Sequence, residues 1–168
     1  MAYTIYDASV PVMIRALTNL SKIIDKAVAQ AKKEDRPLSD LLGAQLIDDM
    51  KPFPFQIQSA SDAAKGCAAR LAGIDAPSMP DTETTFPELQ ARIAKTIDFL
   101  KTVTPAQVAG AEDREIVMKF PNGEMKFKGS DYVAGFALPN FFFHVTTAYA
   151  LLRHKGIAIG KMDFLGGA

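Results

Sequence analysis

The chain has one cysteine, Cys67, so no intrachain disulfide can form, which fits a reducing compartment. An excess of either charge is also missing: nineteen basic side chains meet nineteen acidic ones, with no long run of either sign. Nucleic acids and anionic membranes both demand a basic surface, so neither is expected as a partner. The longest apolar run, 136–152, is broken by Pro139, Asn140, His144 and two threonines, and a membrane span is not expected. The opening MAYTIYDASVP lacks a basic stretch followed by an apolar one, so no secretory signal is evident and a cytoplasmic location is expected. There is no Gly-rich phosphate loop, no Ser–His–Asp motif, no C-x-x-C pair and no internal repeat. Histidine is scarce, with only His144 and His154.

What is present is helical patterning in 168 residues, 48% of them hydrophobic, enough for one domain over 1–168 with a real core. Val10, Met13, Leu17, Leu20, Ile24, Val28 and Ala31 recur three or four apart, a strong amphipathic helix. It is expected to begin near Ser9, with Asp7 or Ser9 as N-cap and Pro11 in the first turn. Arg15, Asn19 and Lys22 sit at the edge of its apolar stripe and read as a solvated face. A second helical region spans about 39–72, with Leu41, Leu42, Leu46 and Ile47 before the MKPFPF stretch and Ile57, Ala60, Ala64, Cys67 and Leu71 after it. Two prolines so close must kink or divide that helix. The segment GIDAPSMPDTET reads as irregular surface. Thr85 and Glu88 then match a capping box, opening a helix along Phe86, Leu89, Ile93, Ile97 and Leu100. A short turn is expected over 105–110.

Over 114–129 the hydrophobic period changes from 3.6 to 2. Asn122-Gly123 is a favoured pair for a two-residue hairpin turn, and it would set Phe120 opposite Met125 and Met118 opposite Phe127. The last helix carries Leu138, Phe142, Val145, Tyr149 and Leu152, with Phe141, Ala148 and Leu151 on adjoining rows. Pro139 should start or kink it, and Gly156 should end it. Together these elements predict an all-α four-helix bundle with a kinked second helix and a small β-hairpin before the last helix. The short connection between the first two helices predicts antiparallel neighbours.

His144 is the one polar ring on the apolar face of the last helix. It is expected to be mostly buried and hydrogen-bonded to another helix, either as a core histidine or as a ligand-binding or catalytic group. His154 reads as a solvated cation at the helix end. The two lie roughly 15 Å apart along the axis, too far to share one metal. Asp49, Phe53, Gln56 and Ala60 fall on one face if the proline-rich kink permits, so Asp49 and Gln56 are the partners expected for His144, with Asn19 a weaker one. The alternative is that they satisfy backbone stranded by Pro52 and Pro54. Asp62, Arg70 and Lys65 read as a surface ion-pair network, Asp163 as a tie from the tail to the bundle, and Cys67 as a small buried hydrophobe.

The blocks VPVMIRALTNLSKIIDKA, DDMKPFPFQIQSASDAAKGCAARLAG, TFPELQARIAKTIDFL and LPNFFFHVTTAYALLRHKGIAIGKMDFLG resemble an uncharacterised bacterial and fungal family grouped with the DinB/YfiT-like four-helix bundles. The resemblance covers roughly 10–167 and implies a four-helix bundle, a homodimer and a superfamily of metalloenzymes. Members of that superfamily with a metal use three histidines, one of them on the second helix. This chain has none there, so no metal site is expected and the cofactor stays unknown. Three functions remain open. One is a small-molecule binding module whose pocket uses His144, Asp49, Gln56, Phe141 and Asn19. A second is a metal-dependent transferase or hydrolase without the histidine triad, and a third is a non-catalytic dimeric structural or stress-response protein.

Overall fold

Thr4 opens the first helix: its Oγ1 accepts from the Asp7 N–H at 3.2 Å while the Asp7 carboxylate accepts from the Thr4 N–H at 3.0 Å. In the computed structural model, which describes residues 3–167, helix α1 therefore spans Ile5–Lys33. It starts a turn ahead of the expected Ser9, because the reciprocal Thr4–Asp7 cap outweighs the proline signal. Pro11 lies inside the helix. The Asp7 carbonyl, which Pro11 has no N–H to serve, accepts from the Tyr3 hydroxyl at 3.2 Å. Val10, Met13, Leu17, Leu20, Ile24 and Ala31 are buried as their spacing requires. Met1, Ala2 and Ala168, included in the expected domain span, lie outside the described residues.

The second helical region is divided rather than kinked, into α2 (Ser39–Leu42) and α3 (Phe53–Ala72). Pro52 takes the N-cap and Pro54 the first turn of α3, where a missing N–H is harmless, so the helix restarts there. The stretch between them is not helical. Leu46 and Ile47, expected on an apolar face, are 45% and 62% exposed. Beyond the prolines, Ile57, Ala60, Ala64, Cys67 and Leu71 are fully buried. Helix α4 (Phe86–Thr102) opens on the Thr85–Glu88 capping box, and α5 (Pro105–Val108) supplies the short turn.

Strands β1 (Glu115–Phe120) and β2 (Gly123–Lys128) form the antiparallel hairpin. Phe120 pairs with Gly123, Met118 with Met125 and Ile116 with Phe127. The turn is therefore Pro121-Asn122, one residue earlier than Asn122-Gly123. Among the described residues, Asp35 is the only non-glycine with positive φ. A turn with positive φ at both centres is thus not formed; Pro121 presets the first position of an ordinary turn, and Gly123, at φ 143°, absorbs the twist. The change of register is two positions, so the same side chains keep to one face.

Helix α6 (Gly129–Tyr132) runs through a π-helical turn (Val133–Ala137) into α7 (Leu138–His154). Pro139 thus falls in the first turn of α7, the expected start, directly after the wide π turn; deeper in a helix its ring would clash with the carbonyl four residues back. On α7 the buried apolar residues are Phe141, Val145, Ala148, Leu151 and Leu152, with Thr147 buried beside them, whereas Leu138, Phe142 and Tyr149 are half-buried. Helix α1 packs on α4 and α7, α3 packs on the same two, and α1 meets α3 only across the diagonal. The connection through α2 is long enough to cross the bundle, so α1 and α3 are not the expected side-by-side neighbours.

A short α8 (Lys161–Leu165) folds back on α1. Asn19 Nδ2 donates to the Phe164 carbonyl at 3.1 Å, Lys26 pairs with Asp163, and Asp163 accepts from the Gly160 N–H at 2.7 Å. Asn19 is therefore not on a solvated face; it is 6% exposed. His154 is exposed and Cys67 is fully buried, with burial pushing its thiol up to about 12 against a small opposing effect of Arg70.

Candidate functional site

Two features of local sequence place a cleft between α3 and α7. The π turn offsets the start of α7 from α6, and the hairpin packs over the gap, with Phe127 lying 5.9 Å from Tyr132 and 5.7 Å from Phe136, ring centre to ring centre. The resulting cleft has a volume of about 370 Å³. Its walls are Ser59, Asp62, Ala63 and Arg70 from α3, Met118 and Phe120 from β1, and Tyr132, Phe136, Ala137, Asn140 and His144 from the α6–α7 run.

His144 reaches this cleft half-buried, less enclosed than expected for a side chain on the most apolar helix. Phe55 and Phe143 stand edge-on to its ring at centroid distances of 6.0 and 5.2 Å. Burial lowers its pKa below the ordinary 6.5, favouring the neutral ring. His144 Nδ1 lies 2.8 Å from Gln56 Oε1. The other end of that amide, Nε2, donates to the Lys51 carbonyl at 2.9 Å. A carbonyl can only accept, so the Gln56 NH2 must face Lys51 and its oxygen must face His144. Nδ1 is then the protonated nitrogen, and Nε2 keeps its lone pair. No protein group among the described residues bonds Nε2.

Of the other expected site residues, Gln56 is 2% exposed and holds the histidine. Asp49 lies in the non-helical stretch before α3 and is exposed; dividing the helix removes the shared face that would have aimed it at His144. Phe141 is fully buried, edge-on to Phe142 at 5.1 Å, and belongs to the core rather than the cleft wall. Asn19 borders a separate depression with Arg15, Phe142 and Phe164.

The expected Asp62–Arg70 network is also rearranged. Asp62 Oδ1 lies 2.8 Å from Lys65 Nζ and 2.8 Å from Arg92 on α4. Arg92, whose side chain is 1% exposed, further pairs with Asp81 at 2.9 Å and Glu83 at 3.0 Å and donates to the Pro80 carbonyl at 3.2 Å. The 73–85 connection, irregular as expected, is therefore pinned to the bundle. Arg70 instead donates to the Tyr132 hydroxyl at 3.1 Å and lies 5.8 Å from that ring's centre. Sequence reasoning missed Arg92, Asn140 and Tyr132. The spacing of Asp62, Gly66 and Arg70, one turn apart along α3, was the available signal for a polar wall.

Among the described residues no three His, Cys, Asp or Glu side chains converge as a metal would need. Asp62, the carboxylate in the cleft, is already engaged by two cations, so the side chains present do not fit a divalent ion there. Nor is any helix of the described residues long and apolar enough to cross a membrane.

A search of curated proteins finds no match. A solved structure of a DinB family member protein from Shewanella denitrificans is 37% identical, with a TM-score of 0.90 over 97% of this chain and 92% of that one. The family described as Domain of unknown function (DUF1993) matches residues 5–165. With nearly its whole length matched, the chain belongs to the DUF1993 family of DinB-like helical bundles.

Proposed function

We propose that this single-domain cytoplasmic protein binds a small molecule in the α3–α7 cleft, with His144 Nε2 as the acceptor that orients it. The observation that carries this reading is the Lys51–Gln56–His144 relay. It holds an imidazole in one tautomer and leaves the lone pair of the other nitrogen without a protein partner beside a cleft. A histidine retained for packing alone needs no open lone pair. A π turn bordering the cleft adds support, since such turns recur at functional sites. The same nitrogen suits general-base chemistry at neutral pH, because burial keeps the ring unprotonated.

Phenol, an aromatic ring with one donor, is a direct probe, and toluene is its donorless control. Ring-nitrogen NMR at about pH 7 should report Nδ1–H and a bare Nε2, with phenol perturbing Nε2. His144→Ala should remove the preference for phenol, roughly five- to tenfold for one hydrogen bond, at a stability cost of about 1–3 kcal/mol because the buried Gln56 Oε1 loses its donor. An Nε2–H tautomer, or phenol binding that ignores His144, overturns the reading. The sign of the pH dependence follows from the lowered pKa. Stability from the neutral ring is present above the unfolded value near 6.5 and is lost as pH falls through the folded value, and phenol affinity falls with it.

The protein is also proposed to act as a homodimer through helix faces that remain apolar, where Phe55 and Phe143 are 38% and 57% exposed. Light scattering at micromolar concentration should then give twice the chain mass of 18.2 kDa; the mass of a single chain rules the dimer out.

A further inference from the structure

Arg70 is a charged group held in place without a counter-charge. Its guanidinium lies back along α3 over Gly66, where an added Cβ would come within 2.5 Å of its Nη1. Tyr132 fixes it from the other side, through the hydroxyl at 3.1 Å and the ring face. Among the described residues no carboxylate lies within 4.0 Å of it. Asp62, the nearest acid along the same wall, is occupied by Lys65 and Arg92. A guanidinium carries five donors in a planar fork, and the single bond to Tyr132 leaves most of this fork for the cleft that Arg70 lines. Pinning it in advance removes the rotamer entropy that a ligand would otherwise have to overcome.

We infer that Arg70 is the anchor of an anion subsite in this cleft and that the ligand is a small monocarboxylate with an apolar, aromatic-sized body. The fork matches two carboxylate oxygens. Phe120 and Phe136 supply the apolar wall, and the cleft, at about 370 Å³, falls in the range of small-ligand sites. With Asp62 neutralised by Lys65 and Arg92, Arg70 is the one cation lining the cleft that has no acid partner among the described residues, and a single guanidinium matches a single negative charge better than a phosphate dianion. This inference rests on the proposed binding role of the cleft and names the ligand class for it.

The test is a titration of the full chain with 3-phenylpropionate, 3-phenylpropanamide, 3-phenylpropan-1-amine and inorganic phosphate, read by calorimetry and by the Arg70 and His144 NMR signals. The carboxylate should bind about tenfold or more tightly than the amide, as expected for a charge-assisted pair, and the amine should bind least. Arg70→Met should erase the preference for carboxylate over amide, and Arg70→Lys should restore part of it, since the charge returns without the fork. Melting temperatures of both variants are recorded, and Arg70→Lys keeps the comparison usable if Arg70→Met folds poorly. Equal binding of carboxylate and amide, tighter binding of phosphate, or a preference that survives Arg70→Met overturns the inference. In each of those cases phenol binding at His144 leaves the cleft reading standing. Failure of phenol and of every other compound to reach the cleft overturns both.

Discussion

Gly129→Ala is expected to be among the most damaging single substitutions in the chain. An added Cβ there would sit 1.8 Å from the Ala111 carbonyl oxygen and 2.9 Å from its carbon. Both atoms are backbone, so no rotamer change relieves the overlap; α6 must move away from the short 3-10 turn at Ala111–Asp113. Overpacking of this severity costs about 3 kcal/mol or more, which in a domain of this size lowers the melting temperature by roughly 6–12 °C. The contrast is Gly135→Ala, a turn and a half further along the same run, where an added Cβ meets nothing within 4 Å. That change should be neutral or stabilising by up to about 1 kcal/mol, because alanine reduces the freedom of the unfolded chain. Thermal melts of the two variants decide the matter; equal melting temperatures would show that α6 does not pack on the turn. Because α6 carries Tyr132, Gly129→Ala should also loosen Arg70 and weaken carboxylate binding.

Arg92→Met is expected to cost about 3 kcal/mol at neutral pH, near the lower end for a broken buried ion pair. The lower end applies because two of the three acids it serves, Asp62 and Asp81, have side chains 44% and 54% exposed and can turn to water. Glu83 cannot do so as easily, its side chain being 13% exposed. Burial by itself would raise the Glu83 carboxyl, but hydrogen bonds from Arg92 and Gln58 together hold it below its ordinary 4.5. A depressed acid stabilises the fold fully above its unfolded value and loses that contribution as pH falls through the folded one. The penalty of Arg92→Met in urea unfolding should therefore be largest near pH 7 and shrink as the pH is lowered below about 4.5. Asp81→Asn, removing an exposed partner, should stay within about 1 kcal/mol of the parent. A penalty for Arg92→Met that is small or indifferent to pH would mean that the 73–85 connection is held by something other than this cluster.

The elements themselves were legible in the sequence because they rest on short-range chemistry. The Thr85–Glu88 capping box, the α4 seam of Phe86, Leu89, Ile93 and Leu100, and the α3 stripe from Ile57 to Leu71 follow from spacing within one helix. The change to period 2 before residue 129 likewise sufficed for the hairpin. Where two local signals compete, spacing alone does not choose. At the first helix the Thr4–Asp7 cap outweighs the proline signal, and in the hairpin Pro121 draws the turn one residue earlier. At MKPFPF the choice between a kink and a break fell to a break, which carried Asp49 away from the site.

The candidate site was legible only in part. His144 and Gln56 could be named as partners from helical position, because each is the polar exception on an apolar face. The tautomer could not, since it depends on the Lys51 carbonyl meeting the far end of Gln56. Arg70 and Asp62, eight residues apart on one helix, read as members of one ion-pair network. Only tertiary structure separates them, drawing Asp62 to Arg92 on α4 and Arg70 to Tyr132 beyond the hairpin. Composition and periodicity decide which face of a helix is buried, because burial is summed over many similar contacts. Which charge meets which is settled by single contacts between residues distant in the chain, and those exist only once α3, α4 and the α6–α7 run have packed.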